Sequence, residues 1–126
     1  MAVSTLTRRP DFLAANNGRR QAMPGFVLLV RERHDNDDAI RIGYTVTKKI
    51  GNAVVRNRMK RRLRALAREV LPASGIRGAD HVLIGRDGGV ERDYGLLRHE
   101  LAKALAKIMH KPEGAPRPPR ANRSRK

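Results

Sequence analysis

Twenty-one consecutive residues, Lys48 to Arg68, carry nine Lys and Arg and no Asp or Glu, and they also contain an apolar series at helical spacing. Wound at 100° per residue, Val55, Met59, Leu63, Leu66 and Val70 fall within an arc of about 80°. Asn57, Lys60, Arg61, Arg64 and Arg68 lie on the remaining arc, with Arg56 on one border of the apolar stripe and Arg58 and Arg62 on the other. Asn52 suits the capping position, and Leu71-Pro72 with the glycines beyond predicts an end near Val70. The segment must therefore be a helix that buries one face and presents an uninterrupted cationic surface on the other.

A solvated helix face normally sets Glu or Asp four residues from its cations, because like charges at that spacing repel by a few tenths of a kcal/mol per pair. Arg56, Lys60, Arg64 and Arg68 form an uncompensated ladder instead. A polyphosphate supplies the missing charge, and each neutralised phosphate releases a counterion and adds salt-sensitive affinity. The whole chain agrees, with 28 Lys and Arg against 12 Asp and Glu, a net charge of +16 over 126 residues. The last sixteen residues hold four prolines and six cations with little apolar bulk, a composition that predicts a disordered basic tail over 111–126. Residues 1–110 keep 22 cations against 11 acids, so the expected single nucleic-acid-binding domain is itself strongly basic.

Around the helix, Thr7 can cap a short helix with Pro10 in its first turn and Phe12, Leu13 and Ala15 on its apolar side. A further short strand fits residues 19–23. "GFVLLVRER" and "AIRIGYTVT" read as strands separated by a turn in "HDNDDA", the second alternating Ile40, Ile42, Tyr44 and Val46 with Arg41, Gly43, Thr45 and Thr47. "HVLIGRD" reads as another strand, and Asp93 can begin a helix with Leu97, Leu101, Leu105 and Ile108 at helical spacing. This mixed order in a small chain predicts an α+β two-layer sandwich, a sheet of about four mostly antiparallel strands with three helices.

No catalytic constellation accompanies these elements. With no cysteine in the sequence, disulfides and thiolate chemistry are excluded. His34, His81, His99 and His110 form no ligand spacing. Asp35, Asp37 and Asp38 lack the glycine and distal glutamate of a calcium loop, and "GRDGG" at 85–89 fits neither phosphate-loop pattern. No apolar run reaches the roughly 20 residues of a membrane span, and without a secretory signal pattern the expected location is the cytoplasm. The four aromatics, Phe12, Phe26, Tyr44 and Tyr94, are too few for a multi-base stacking surface, and Phe26 and Tyr44 are expected to pack in the core. Arg86, a cation at a strand end, is placed to face a groove.

"TVTKKIGNAVVRNRMKRRLRALAREV", with Arg56-Asn57-Arg58 followed by Met59-Lys60-Arg61 and Arg64, closely resembles the signature of the bacterial ribonuclease P protein subunit. The resemblance spans roughly residues 5–109. It implies an α-β-β-β-α-β-α order with a left-handed β-α-β crossover, against the usual hand. It also implies a protein that assists a catalytic RNA and binds the 5′ leader of precursor tRNA. Mg²⁺ would act through the RNA subunit, none being held by the protein alone, and no membrane or obligate protein partner is expected.

Carried over by position, Lys48, Lys49, Arg56, Asn57, Arg58, Lys60, Arg61 and Arg64 would meet RNA, with Arg68 continuing the ladder, and Phe12 would border the leader cleft together with Arg86. Asn16 and Leu29 stand where family members often have aromatics, which shifts leader binding toward charge. The other readings of the same charge are a small ribosomal protein and, less compatible with the order of elements, a DNA-binding module.

Overall fold

The computed structural model describes residues 3–110; the tail expected over 111–126 lies outside them. Five strands form one sheet: β1 (Val3–Thr5), β2 (Arg19–Ala22), β3 (Phe26–Glu32), β4 (Ile40–Thr45) and β5 (Ala79–Gly85), in the order β1-β4-β5-β3-β2. The helices are α1 (Arg9–Ala15), α2 (Ala53–Ser74) and α3 (Tyr94–Met109). The architecture is the expected α+β sandwich with three helices, but the sheet is mixed: β1 and β5 both run parallel to β4, whereas β3 is antiparallel to β5 and to β2.

The two adjacent runs on either side of "HDNDDA" do not form a hairpin, because β5 lies between β3 and β4. Both faces of β5 are covered, and six of its seven residues are buried, which explains its near-continuous apolar reading. β1 adds the strand absent from the sequence expectation. Three residues carry too little periodicity to read, and β1 is held instead by pairing Val3, Ser4 and Thr5 with Ile40, Arg41 and Ile42. Leu6 extends the contact, its N–H donating to the Ile42 carbonyl at 2.7 Å.

Side chains alternate across the sheet. Phe26, Leu28, Val30, Ile40, Ile42 and Leu83 face α2 and α3 and meet Met59, Leu63, Leu66, Val70, Leu97, Leu101, Leu105 and Ile108 in the main core. The other face carries Val27, Leu29 and Val82, which pack with Leu6 and Ala15 under α1. Seven residues are too few for a helix to persist alone, and α1 is fastened by that small core and by Asp11, whose carboxylate lies 3.7 Å from Arg41. Its cap position is Arg8, with no side-chain cap bond, one residue beyond the expected Thr7. Pro10 does sit in the first turn.

α2 begins as expected, Asn52 Oδ1 accepting from the Val55 N–H at 3.0 Å, but continues through Pro72 to Ser74. A proline there forfeits only the bond to the Arg68 carbonyl. Burial of Val70 and Leu71, with the Gly75 N–H closing on the Leu71 carbonyl at 2.8 Å, outweighs that loss.

Two buried polar residues fix the turn from α2 into β5. Asp80 accepts from Arg41 at 2.6 and 2.8 Å and from Arg33 at 3.0 Å. Burial pushes its carboxyl up, but those bonds outweigh burial and hold it below the usual range. Arg33 also donates to the Asp37 and Ala39 carbonyls, pinning the β3–β4 loop. His81 accepts from the Ile76 N–H at 3.1 Å, and its Nδ1 lies 3.1 Å from the Arg41 carbonyl. Desolvation lowers its pKa to about 4, so the ring is neutral and Nδ1 carries the proton to that carbonyl.

Candidate RNA interface

The strand end, a short turn and a long helix present the cations. After β4, Lys48–Ile50 form one 3-10 turn, and Gly51 follows at φ 153°, ψ −164°. A side chain there is strained by the backbone itself and would meet the Val55 side chain at 3.0 Å. The chain thus reverses sharply into the Asn52 cap. The first turn of α2 contains no acid, so the positive end of the helix dipole adds to Lys48 and Lys49 rather than being neutralised.

Met59, Leu63 and Leu66 are fully buried, and the opposite arc carries Asn57, Arg61, Arg64 and Arg68, all exposed. Arg56 and Lys60 are half-buried along one border. Lys48, Lys49, Lys60, Arg61, Arg64 and Arg68 form no salt bridge among the described residues. Arg58 differs, with Nη2 lying 2.8 Å from Glu91 Oε1. Glu91 is 33 residues away, so no reading of local charge spacing could have found it. Arg62 turns toward the same junction and donates to the Arg92 carbonyl.

The remaining predicted residues lie beyond the helix. Phe12 rests over Gly43 so closely that a Cβ there would stand 2.5 Å from its ring. Phe12 is half-buried on the α1 face. Arg86 occupies the same face by strand alternation. Gly43 pairs with Val82, four residues before Arg86, so the two sites are about 13 Å apart along the strands. Between them Thr45 and Ile84 remain half-exposed, making an open floor. Arg86 Nη1 donates to the Met23 carbonyl at 3.0 Å, which anchors one edge of its guanidinium group.

The structure joins Arg86 to Lys49 rather than isolating it, since both line a groove of about 390 Å³ with Thr47 and Gly88 at the end of the sheet. Leu29 belongs to the small core under α1 and is buried, and Asn16 is the exposed C-cap of α1. Two cationic surfaces therefore exist, the outer arc of α2 and the open floor beside α1, on opposite sides of the sheet and connected around its end through Lys49. No helix among the described residues is long and apolar enough to cross a membrane.

Comparison with known proteins agrees with this arrangement. The ribonuclease P family model matches residues 2–109. The ribonuclease P protein component of Erythrobacter litoralis is 59% identical over 102 residues, covering 81% of this chain and 83% of its own. That of Gluconacetobacter diazotrophicus is 50% identical over 103 residues, covering 81% and 88%. Among solved structures, the RNase P protein from Thermotoga maritima superimposes with a TM-score of 0.71 at 30% identity, covering 83% of this chain and 97% of that one. The Staphylococcus aureus RNase P protein gives 0.67 at 28% identity, covering 82% and 95%. A basic α2 opposite a buried stripe, the α1 cleft and this match across nearly all of the described residues lead to one assignment: the chain belongs to the ribonuclease P protein family.

Proposed function

We propose that the chain works as the protein subunit of ribonuclease P by holding two RNAs at once, the catalytic RNA on the outer arc of α2 and the 5′ leader of precursor tRNA on the floor between Phe12 and Arg86. The observation that carries this reading is the set of exposed cations on α2 that form no salt bridge, on the far side of the sheet from the α1 floor. Arg61 and Arg64, exposed and outside any salt bridge, can each donate paired hydrogen bonds to phosphate oxygens, Arg56 and Arg58 add charge beside them, and Asn57 both donates and accepts. Phe12 offers one aromatic face, and Arg86 with Lys49 offers charge where the leader turns around the end of the sheet. No side chain is assigned to bond breaking. The phosphodiester is hydrolysed by the RNA with Mg²⁺ bound to it, and the protein positions the substrate and screens the repulsion between two polyanions. We place this work in the cytoplasm, where precursor tRNA is made.

Reconstitution tests the reading. Adding the protein to a ribonuclease P RNA is expected to lower the Mg²⁺ needed to cleave precursor tRNA and to favour substrates carrying a leader over mature tRNA. No change in either quantity would refute it. Co-sedimentation with ribosomal subunits at high salt would favour the structural ribosomal alternative, which the family match does not support.

A further inference from the structure

A second concavity lies on the α2 side of the sheet, opposite Phe12, between the edge strand β1 and the last turns of α2. It measures about 430 Å³ and is lined by Thr5 from the edge strand, Tyr44 and Ile42 from β4, and Arg64, Arg68 and Pro72 from the helix. This is within the range of sites that enclose small ligands. Tyr44 packs against the main core, as expected, but is only half-buried, and its hydroxyl makes no hydrogen bond among the described residues. Arg64 and Arg68 line the same groove as the phenol, and burial raises the Tyr44 pKa while their charges lower it. Neither arginine forms a salt bridge among the described residues, the Glu69 carboxylate beside Arg68 pairing with Arg98 instead. Pro72 has no N–H, so the Arg68 carbonyl is an acceptor that lacks its helical donor.

An apolar ligand would leave two guanidinium groups uncompensated at this site, and a simple anion would not use the aromatic face. A nucleotide satisfies both. We propose that this groove holds one unstacked base of the RNA strand running along α2, the ring lying against Tyr44 and the flanking phosphate on Arg64 and Arg68. The base must come from an unpaired or bulged position, because a paired base has no free face and its edges are occupied. Its exocyclic N–H or ring acceptor finds partners in the Arg68 carbonyl and the Tyr44 and Thr5 hydroxyls. The cationic ladder then ends in a point of registry, fixing where along α2 the RNA sits. The proposal rests on the reading that α2 lies against the catalytic RNA.

The test uses the full chain with ribonuclease P RNA. Tyr44→Leu keeps bulk but removes the stacking face and is expected to weaken binding roughly five- to a hundredfold, while leaving the salt dependence unchanged because the phosphate contacts persist. Tyr44→Phe should retain most of the affinity. Chemical probing should show one nucleotide whose base is protected by the wild-type protein and reactive with Tyr44→Leu. Equal affinity and an unchanged reactivity pattern would overturn the groove proposal while leaving α2 binding intact. Absence of salt-dependent binding by the wild-type protein would instead defeat the underlying reading.

A measurement free of mutation uses millimolar AMP and ribose 5-phosphate followed by NMR. AMP should move the Tyr44 ring resonances and ribose 5-phosphate should not; equal responses count against a base site.

Discussion

Acidification should destabilise the protein in a window set by His81, and the size of the effect follows from its surroundings. The ring is fully buried, and its two nitrogens are committed to the Ile76 N–H and the Arg41 carbonyl. Its pKa falls from 6.5 to about 4. Between those values the unfolded chain takes up a proton that the folded chain refuses, so stability rises with pH across the window and is lost as pH falls. From pH 7 to pH 5 the loss is about 2 kcal/mol, equivalent to a melting temperature lower by roughly 10 °C for a domain of this size.

Asp80 beside it does not confuse the reading. Its folded pKa is depressed below 3.8, so its contribution is lost only at lower pH. Urea unfolding followed by circular dichroism at pH 7 and pH 5 measures the difference. His81→Asn should be less stable at pH 7 but show little change on acidification. A wild-type loss below about 0.5 kcal/mol, or an undiminished loss in His81→Asn, would refute the argument that this buried neutral imidazole links folding to protons.

Because Glu91 neutralises Arg58, Glu91→Gln should tighten binding to ribonuclease P RNA and steepen its salt dependence by up to about 0.7–0.9 in the log–log slope. Arg64→Ala should flatten the slope by a similar amount, and filter-binding titrations over a salt series read both. Gly43→Ala drives a Cβ into the Phe12 ring and should cost about 1–3 kcal/mol with a loss of preference for leader-bearing substrate. In a Phe12→Ala background the same substitution should cost far less in denaturant unfolding, which isolates the contact.

The features legible in the sequence are those set by local periodicity or capping. The buried stripe Met59-Leu63-Leu66-Val70, the Asn52 and Asp93 caps and the leucines of α3 all depend on residues within a turn or two of one another. The Arg56–Arg58 triplet carried the family resemblance. What escaped was decided at a distance. β1 exists because β4 offers an edge, and the insertion of β5 separates two strands that look like a hairpin. Thr7 loses the cap to Arg8 because α1 is positioned by the sheet beneath it. α2 passes Pro72 because tertiary burial of Leu71 exceeds one hydrogen bond.

At the interface, the exposed cations were readable residue by residue. Their partners were not: Glu91 reaches Arg58 across 33 positions, and the Tyr44 groove needs β1, β4 and α2 together.

The central position of β5 also governs the order in which the fold can close. β4 ends at Thr45 and β5 at Gly85, so at synthesis rates of 5–20 residues per second the chain waits about 2–8 s for the strand that joins its two halves. During that interval β3 and β4 each present a bare inner edge, and α2 has emerged with its apolar stripe but only part of its platform. Slow, non-local strand insertion of this kind exposes a chain to mispairing. By the time β5 is complete the chain has also made its strongest cationic helix, and the mutual repulsion of those side chains discourages two unfinished copies from meeting edge to edge.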